Sequence, residues 1–339
     1  MSQLLSQIAH LEVSSPDVAA SVAFYTDRFG MRVVDEVDGR TYLRAWGDLY
    51  RYSLIVSPGD EPGLVAMAWR TQSEQALREA VARVEAAGVS GSWNAGGPGH
   101  GESYDFTGPF GHGTRLIWDI PLYEPPAELA SSWVDRRERR SSHAGAPRFF
   151  DHVTVAARDV RAMAQWYSDV LGFRIMAYTD LDEAPITVFS VLTTNEKSHD
   201  LGIVVDMSER AGRVNHIAFW LDTHEELLIA ADVLMENGTP IEYGPSVHGV
   251  GEQHFVYVRE PSGLRIELNS GGYRNYVPDW PPQQWYPSTG SASIYRNSEM
   301  PVSMHESFPP AAGGSGTEDS VSDEVKGALL DPAGRHGQG

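Results

Sequence analysis

Two histidines and one glutamate could do chemistry together in this chain: His152, His216 and Glu267. Each sits in a short run that alternates apolar and polar residues, the pattern of a half-buried strand. The runs are Phe150-Asp-His-Val-Thr-Val, Val214-Asn-His-Ile-Ala-Phe-Trp and Leu264-Arg-Ile-Glu-Leu. A carboxylate in the middle of an apolar strand is costly to bury unless a positive charge holds it. Two neutral imidazoles and one carboxylate from three strands suit a divalent metal with coordination positions left open, the facial arrangement of non-haem Fe(II) oxygenases. Manganese accepts the same donors. With no cysteine in the chain, disulfides and thiolate ligands are excluded, and any metal must take His, Asp or Glu.

The glutamate belongs to a β-hairpin. His254-Phe-Val-Tyr-Val-Arg meets a Glu260-Pro-Ser-Gly turn and returns as Leu264-Arg-Ile-Glu-Leu. Proline presets φ early in the turn, and glycine accepts the left-handed conformation that follows. Tyr257 and Glu267 are equidistant from Ser262, so an in-register hairpin places them on facing strands. The period of two puts Leu264, Ile266 and Leu268 on one face and Glu267 on the other.

An internal repeat positions these runs. Ile8-Ala-His-Leu-Glu-Val and the stretch Asp17 to Val34 match Phe150-Asp-His-Val-Thr-Val and the stretch Asp159 to Met176. Each copy reads as a strand, a helix capped by Asp and ended by Gly, and a second strand. Leu64-Val-Ala-Met-Ala-Trp with a helix over 73–87 likewise matches Val214-Asn-His-Ile-Ala-Phe-Trp with a helix over 223–237. The chain therefore reads as α+β, with four βαβββ modules in two domains. The predicted boundaries are 1–126 for a first domain without metal, 127–147 for a linker, and 148–298 for the catalytic domain with an aromatic, Pro-rich covering segment. A mostly disordered acidic tail is expected over 299–339. The basic run Arg136-Arg-Glu-Arg-Arg reads as a solvated helix face in the linker.

Aligned on the repeat, His152 matches His10 and His216 falls opposite Ala66. Glu267 falls near Trp118 if two extra residues are allowed after Gly111. The second domain thus offers two His and one Glu where the first offers a single His. His10 reads as a hydrogen-bonded core histidine.

At 339 residues the chain holds two ordinary domains, each with a core. No apolar run reaches the ~18 residues of a membrane helix, and the first ten residues lack the basic and apolar regions of a signal peptide. The net charge of −20 argues against nucleic acid or anionic membrane as partners. A cytoplasmic enzyme is the expectation.

His248, the Val256-Tyr257 pair, Glu260-Pro-Ser-Gly263 and Glu267 are spaced as in a known signature. Over roughly residues 5 to 300 the chain resembles the type I extradiol ring-cleavage dioxygenases of the vicinal oxygen chelate superfamily. Within these it is similar to the two-domain class of catechol 2,3-dioxygenases and homoprotocatechuate 2,3-dioxygenases. Ser246, where the signature usually has Gly, Asn, Thr or an aliphatic residue, is a mild departure. The resemblance implies two vicinal-oxygen-chelate (glyoxalase/dihydroxybiphenyl dioxygenase-like) domains. It also implies extradiol (meta) cleavage of a catechol by dioxygen at Fe(II), with Mn(II) as an alternative, to a 2-hydroxymuconic semialdehyde-type product of aromatic degradation. By the same resemblance His152, His216 and Glu267 match the metal ligands, and His199 matches an acid–base histidine on the strand before the second ligand. His248 and Tyr257 match a pair that hydrogen-bonds substrate and oxygen. Thr154 shares the strand face of His152, and Val191 and Val250 fall where relatives line the ring pocket, which suggests an apolar rather than carboxylate-bearing substrate. A homo-oligomer, tetrameric in relatives, is implied as well. Two other readings stay open: a metal-dependent isomerase or lyase on the same scaffold, and a metal-free protein that binds a small aromatic compound or drug.

Overall fold

The computed structural model describes residues 3–295 and 299–310. The first module runs β1 (Leu5–Ser15), α1 (Val18–Phe29), β2 (Arg32–Val37), β3 (Arg40–Arg44), β4 (Leu54–Pro58). The second runs β5 (Gly63–Thr71), α2 (Glu74–Ala86), β6 (Gly91–Asn94), β7 (Ser103–Thr107), β8 (Gly113–Ile117). The third is β9 (Phe149–Ala157), α3 (Val160–Leu171), β10 (Arg174–Asp180), β11 (Thr187–Thr193), β12 (Leu201–Val205). The fourth is β13 (Val214–Trp220), α4 (His224–Glu236), β14 (Ile241–Val247), β15 (Gln253–Arg259), β16 (Arg265–Gly271), with β17 (Gln283–Trp285) added after it. This is the predicted βαβββ order, four times.

Helix ends follow the predicted chemistry. Asp17 and Asp159 accept backbone N–H bonds from Ala20 and Ala162, and Ser73 and Thr223 cap α2 and α4 in the same way. Gly30 and Gly172 close α1 and α3 in the left-handed conformation.

The modules form two sheets, ordered β2-β3-β4-β1-β5-β8-β7-β6 and β14-β15-β16-β13-β9-β12-β11-β10-β17. In each, the first strands of two modules pair antiparallel at the centre, β1 with β5 and β9 with β13. Strand alternation then sorts the side chains. Val153, Val155, Ile217, Phe219, Ile266 and Leu268 join the core under the helices, which leaves His152, Thr154, His216, Ala218 and Glu267 on the opposite, concave face. The cores of the two halves are continuous: Tyr25 and Phe29 of α1 approach Phe219, and Trp69 of β5 meets Phe173 edge-on. His112 Nε2–H donates to Arg213 O, 2.9 Å away, across the same junction.

Three expectations change. The run 136–140 forms no helix, because Glu138 is buried between Arg32 and Arg44 while Arg136 and Arg140 gather with Arg148 around the Trp46 ring. Residues 299–310 are not a loose tail: they include a 3-10 turn at Val302–His305, bury Met304 and Phe308, and bridge β13 through Phe308 and Val214. Residues 311–339 lie outside those described. Finally, β-register places Arg115, not Trp118, at the position of Glu267. Ala68 faces His10 on one side and Arg115 on the other, as Ala218 faces His152 and Glu267. No extra residues are needed, since Gly111 to Arg115 and Gly263 to Glu267 are the same step.

Candidate metal centre

The sheet assembles the site as a row. His152 on β9, Ala218 on β13, Glu267 on β16 and Tyr257 on β15 are lateral neighbours, one strand apart each. The predicted Tyr257–Glu267 pairing is thus present. Ala218 is the small member, and it leaves room above itself for donors from either side. His216 enters from two residues further back on β13, opposite Thr154.

The donor atoms converge. His152 Nε2 and His216 Nε2 are 3.3 Å apart, and each lies 3.1–3.2 Å from Glu267 Oε2. All three residues are buried, with exposures of 2%, 6% and 1%. Ligands one right angle apart on a first-row dication, at bonds of ~2.1 Å, are separated by ~3 Å, so this triangle fits one face of such an ion. Glu267 Oε1 has no hydrogen-bond partner, an orphan that a cation would satisfy. Among the described residues this is the one cluster of His and acidic donors close enough together to hold an ion.

Neighbouring side chains fix which nitrogen each histidine presents. His152 Nδ1–H donates to Asp151 Oδ2 at 2.8 Å. That oxygen also accepts from Gln253 and Asn269, while Lys197 Nζ holds the other at 3.1 Å. His216 Nδ1–H donates to Asn215 Oδ1 at 2.8 Å. Both Nε2 lone pairs therefore aim at the centre. Burial opposes charge on Glu267, yet the adjoining His152 holds its carboxyl well below the usual range. Burial also pulls His152 down, but the Glu267 and Asp151 carboxylates raise it to about 9; His216, where burial wins, falls to about 4.

The remaining sequence-predicted residues surround this triangle. His199 lies in the loop just before β12, its ring 4.2 Å from that of His152, and burial pushes it well below its ordinary pKa. His248 follows β14 and stacks on Phe255. Its Nδ1–H donates to Ala292 O at 2.6 Å, so Nε2 accepts from the Tyr257 hydroxyl at 3.0 Å. Burial, then the Glu267 carboxylate, push the Tyr257 phenol well above its ordinary value, which keeps its proton in place. Thr154 Oγ1 is buried without a partner. Glycine at 202, opposite Thr154, spares that hydroxyl a clash with a Cβ.

A cavity opens over the row, and His152, Thr154, His199, Asn215, His216, His248, Gln253, Tyr257, Glu267 and Ala292 line it. Its wall includes the apolar side chains of Val188, Phe189, Val191, Val250, Met300 and Met304, and among the described residues no lysine or arginine lines it. Sequence reasoning missed Asp151, Asn215, Gln253 and Lys197 as anchors, and missed Met300, Met304 and His305, which come from the presumed tail. The apolar residues of Met300-Pro-Val-Ser-Met-His were the available signal for the last three.

Residues 7–116 and 149–268 match the model of the Glyoxalase/Bleomycin resistance protein/Dioxygenase superfamily. The chain is 31% identical over 282 residues to the metapyrocatechase of Geobacillus stearothermophilus, covering 83% of this chain and 86% of that one. It is 32% identical over 289 residues to a manganese-dependent 2,3-dihydroxybiphenyl 1,2-dioxygenase of Geobacillus genomosp. 3, covering 84% and 91%. Among solved structures it superposes on the 2,3-dioxygenase LapB from Pseudomonas sp. KL28 with a TM-score of 0.76, at 24% identity and 84% and 98% coverage. It superposes on a homoprotocatechuate 2,3-dioxygenase variant from B. fuscum, in complex with HPCA, with a TM-score of 0.78, at 22% identity and 89% and 81% coverage.

Proposed function

We propose that this chain, which belongs to the Glyoxalase/Bleomycin resistance protein/Dioxygenase superfamily, is an extradiol dioxygenase that opens an uncharged, apolar-substituted catechol with dioxygen. The product would be a 2-hydroxymuconic semialdehyde-type compound. The observation that carries the reading is the convergence of His152, His216 and Glu267 at the floor of an apolar cavity. Those three residues would hold Fe(II); Mn(II) fits the same donors, and one relative is named for it. When bound, the dication acts as a Lewis acid toward the diol and brings diol and dioxygen to one place.

The protein groups supply proton handling and shape. His199, kept neutral by burial, can donate Nδ1–H to Ser198 Oγ at 3.2 Å, which leaves Nε2 to take a proton from the diol and return it later. Tyr257 keeps its hydroxyl proton, which can turn from His248 Nε2 toward developing oxyanion charge when substrate is bound. Val191, Val250, Phe189 and Met304 exclude water around the ring, and this apolar lining favours an uncharged ring substituent, with no lysine or arginine among the described lining residues to pair a carboxylate. Thr154 would contact the substrate from β9. Assembly as a homo-oligomer in the cytoplasm belongs to the same reading. Among the described residues no helix is long and apolar enough to cross a membrane.

The test is metal analysis of anaerobically purified protein, then incubation with catechol, 3- and 4-alkylcatechols, 2,3-dihydroxybiphenyl and homoprotocatechuate. A yellow ring-fission product is expected from the uncharged catechols, with kcat/KM for homoprotocatechuate at least about tenfold lower. Absence of product from every catechol with Fe(II) or Mn(II) added would overturn the reaction, and preference for homoprotocatechuate would overturn the substrate class.

A further inference from the structure

Asn215 makes a set of hydrogen bonds that leaves its side chain no freedom. Its amide Nδ2 donates both hydrogens to backbone carbonyls of the C-terminal segment, to Met304 O at 3.0 Å and Glu306 O at 2.9 Å. The side chain is buried, so turning it over would set Oδ1 against two carbonyl oxygens with no water to relieve them. Oδ1 must therefore face His216, and only the Nδ1–H tautomer satisfies it. The other tautomer would oppose two lone pairs and direct an N–H into the triangle of donors.

The segment that imposes this is itself tied to β13 and β16. Phe308 exchanges two backbone hydrogen bonds with Val214, at 2.7 and 2.8 Å. Arg265, fully buried and paired with Glu242, donates to Asn215 O and Glu306 O at 3.0 Å each and also to Ser303 O. Arg213 donates to Ser307 O at 2.6 Å and Pro309 O at 2.8 Å. The same segment contributes Met300, Met304 and His305 to the cavity wall. His152, by contrast, is oriented by the Asp151 carboxylate, an acceptor that needs no such help.

We infer that Asn215 is a positioning residue through which residues 300–310 set the tautomer and aim of His216, so that closing the cavity and completing the metal site are one structural event. The inference rests on His216 being a metal ligand.

The experiment is Mn(II) binding to the full chain, followed by calorimetry and electron paramagnetic resonance under argon. Asn215→Leu is expected to weaken Mn(II) binding about 10- to 100-fold, the usual effect of removing a ligand's orienting partner. Asn215→Asp keeps the acceptor for His216 but cannot donate to Met304 and Glu306. It should stay within about threefold of wild type in affinity while amide exchange across 300–308 quickens. Phe308→Leu, with Phe308→Ala as a stronger variant, should lower affinity several-fold in the wild-type background and leave Asn215→Asp unaffected, a non-additivity that independent structural damage does not give. Nitrogen-15 spectra of metal-free protein should report His216 with its proton on Nδ1 and lose that form in Asn215→Leu. Wild-type protein that binds one equivalent while Asn215→Leu binds within twofold of it would overturn the inference and leave the metal reading intact. Wild-type protein that binds no Mn(II) or Fe(II) would overturn the metal reading itself.

Discussion

Arg115 occupies in the first sheet the register position that Glu267 occupies in the second. Reading across the strands, the first row is His10, Ala68, Arg115, Asp105 and the second is His152, Ala218, Glu267, Tyr257. Asp105 clasps Arg115 through two oxygens, at 2.6 to 3.0 Å. A guanidinium with its own counter-ion thus completes one row from within the chain. The other has a carboxylate and two imidazoles, and calls for a cation from outside.

Removing one donor should therefore empty the site, while removing its counterpart should not. His216→Ala is expected to retain less than about a tenth of an equivalent of metal, because one imidazole and one carboxylate do not make a facial set. His10→Ala should keep the wild-type metal content. Elemental analysis of both proteins decides, and loss of metal from His10→Ala would break the comparison between rows.

Ala218 is the spacer that lets the donors meet. Ala218→Leu would place three extra carbons between His152 and Glu267 while leaving every donor in the chain. Mn(II) affinity should fall by a factor on the order of a hundred or more, comparable to loss of an orienting group or worse. Ala218→Gly should bind normally, which separates the steric effect from general damage to β13.

His199 should matter for rate and not for metal. With His199→Asn the expectation is wild-type metal content and a kcat lower by about 10²- to 10⁴-fold, the range of general acid–base contributions. Steady-state turnover with catechol alongside metal analysis tests both halves. Full activity would remove His199 from proton transfer.

Acid should weaken the junction between the two halves at His112. Burial holds this histidine down to about 4, although its contact with Arg213 O opposes the shift. Between pH 6.5 and 4 the unfolded chain binds the proton and the folded chain does not, so stability falls as pH drops through that window and levels off below it. The loss amounts to about 3 kcal/mol. Chemical denaturation at a series of pH values should show this slope, and His112→Gln should flatten it.

Glu242 governs a lower window. Burial raises it, but hydrogen bonds from Arg259 and Arg265 hold its carboxyl at about 2. Its contribution is fully present above pH 4.5 and disappears as pH falls toward 2, because there the unfolded chain takes up the proton first. Since Arg265 also holds Ser303 and Glu306, Glu242→Gln should raise the pH of acid unfolding and speed amide exchange at 300–308. Unchanged exchange there would show that the Arg265 anchor does not depend on its counter-ion.

How much of this was legible in the residues depends on how local its causes are. The helices and the hairpin could be read because Asp caps, closing glycines and a Pro-Ser-Gly turn act within a few residues. The donors could be read because a duplicated chain supplies its own control. His199 and His248 lie in loops without periodicity, so only resemblance located them. Asp151 and Asn215 were invisible for a different reason: each works through partners far along the chain, Lys197, Gln253 and Asn269 for one, Met304 and Glu306 for the other. The segment 299–310 was misread because backbone acceptors on β13 and buried arginines hold it, and no amphipathic pattern announces that. Trp118 was matched to Glu267 by inserting residues that the strand register does not require.

The order of the chain gives the C-terminal segment a temporal meaning. His152, His216 and Glu267 all leave the ribosome before Met304 and Glu306, whose carbonyls orient Asn215. A nascent chain that has finished its second sheet therefore already carries the full donor set while His216 is free to present either nitrogen. On the proposal that Asn215 orients His216, that orientation is completed only after Met304 and Glu306 have been made and docked, so the order of the chain delays it.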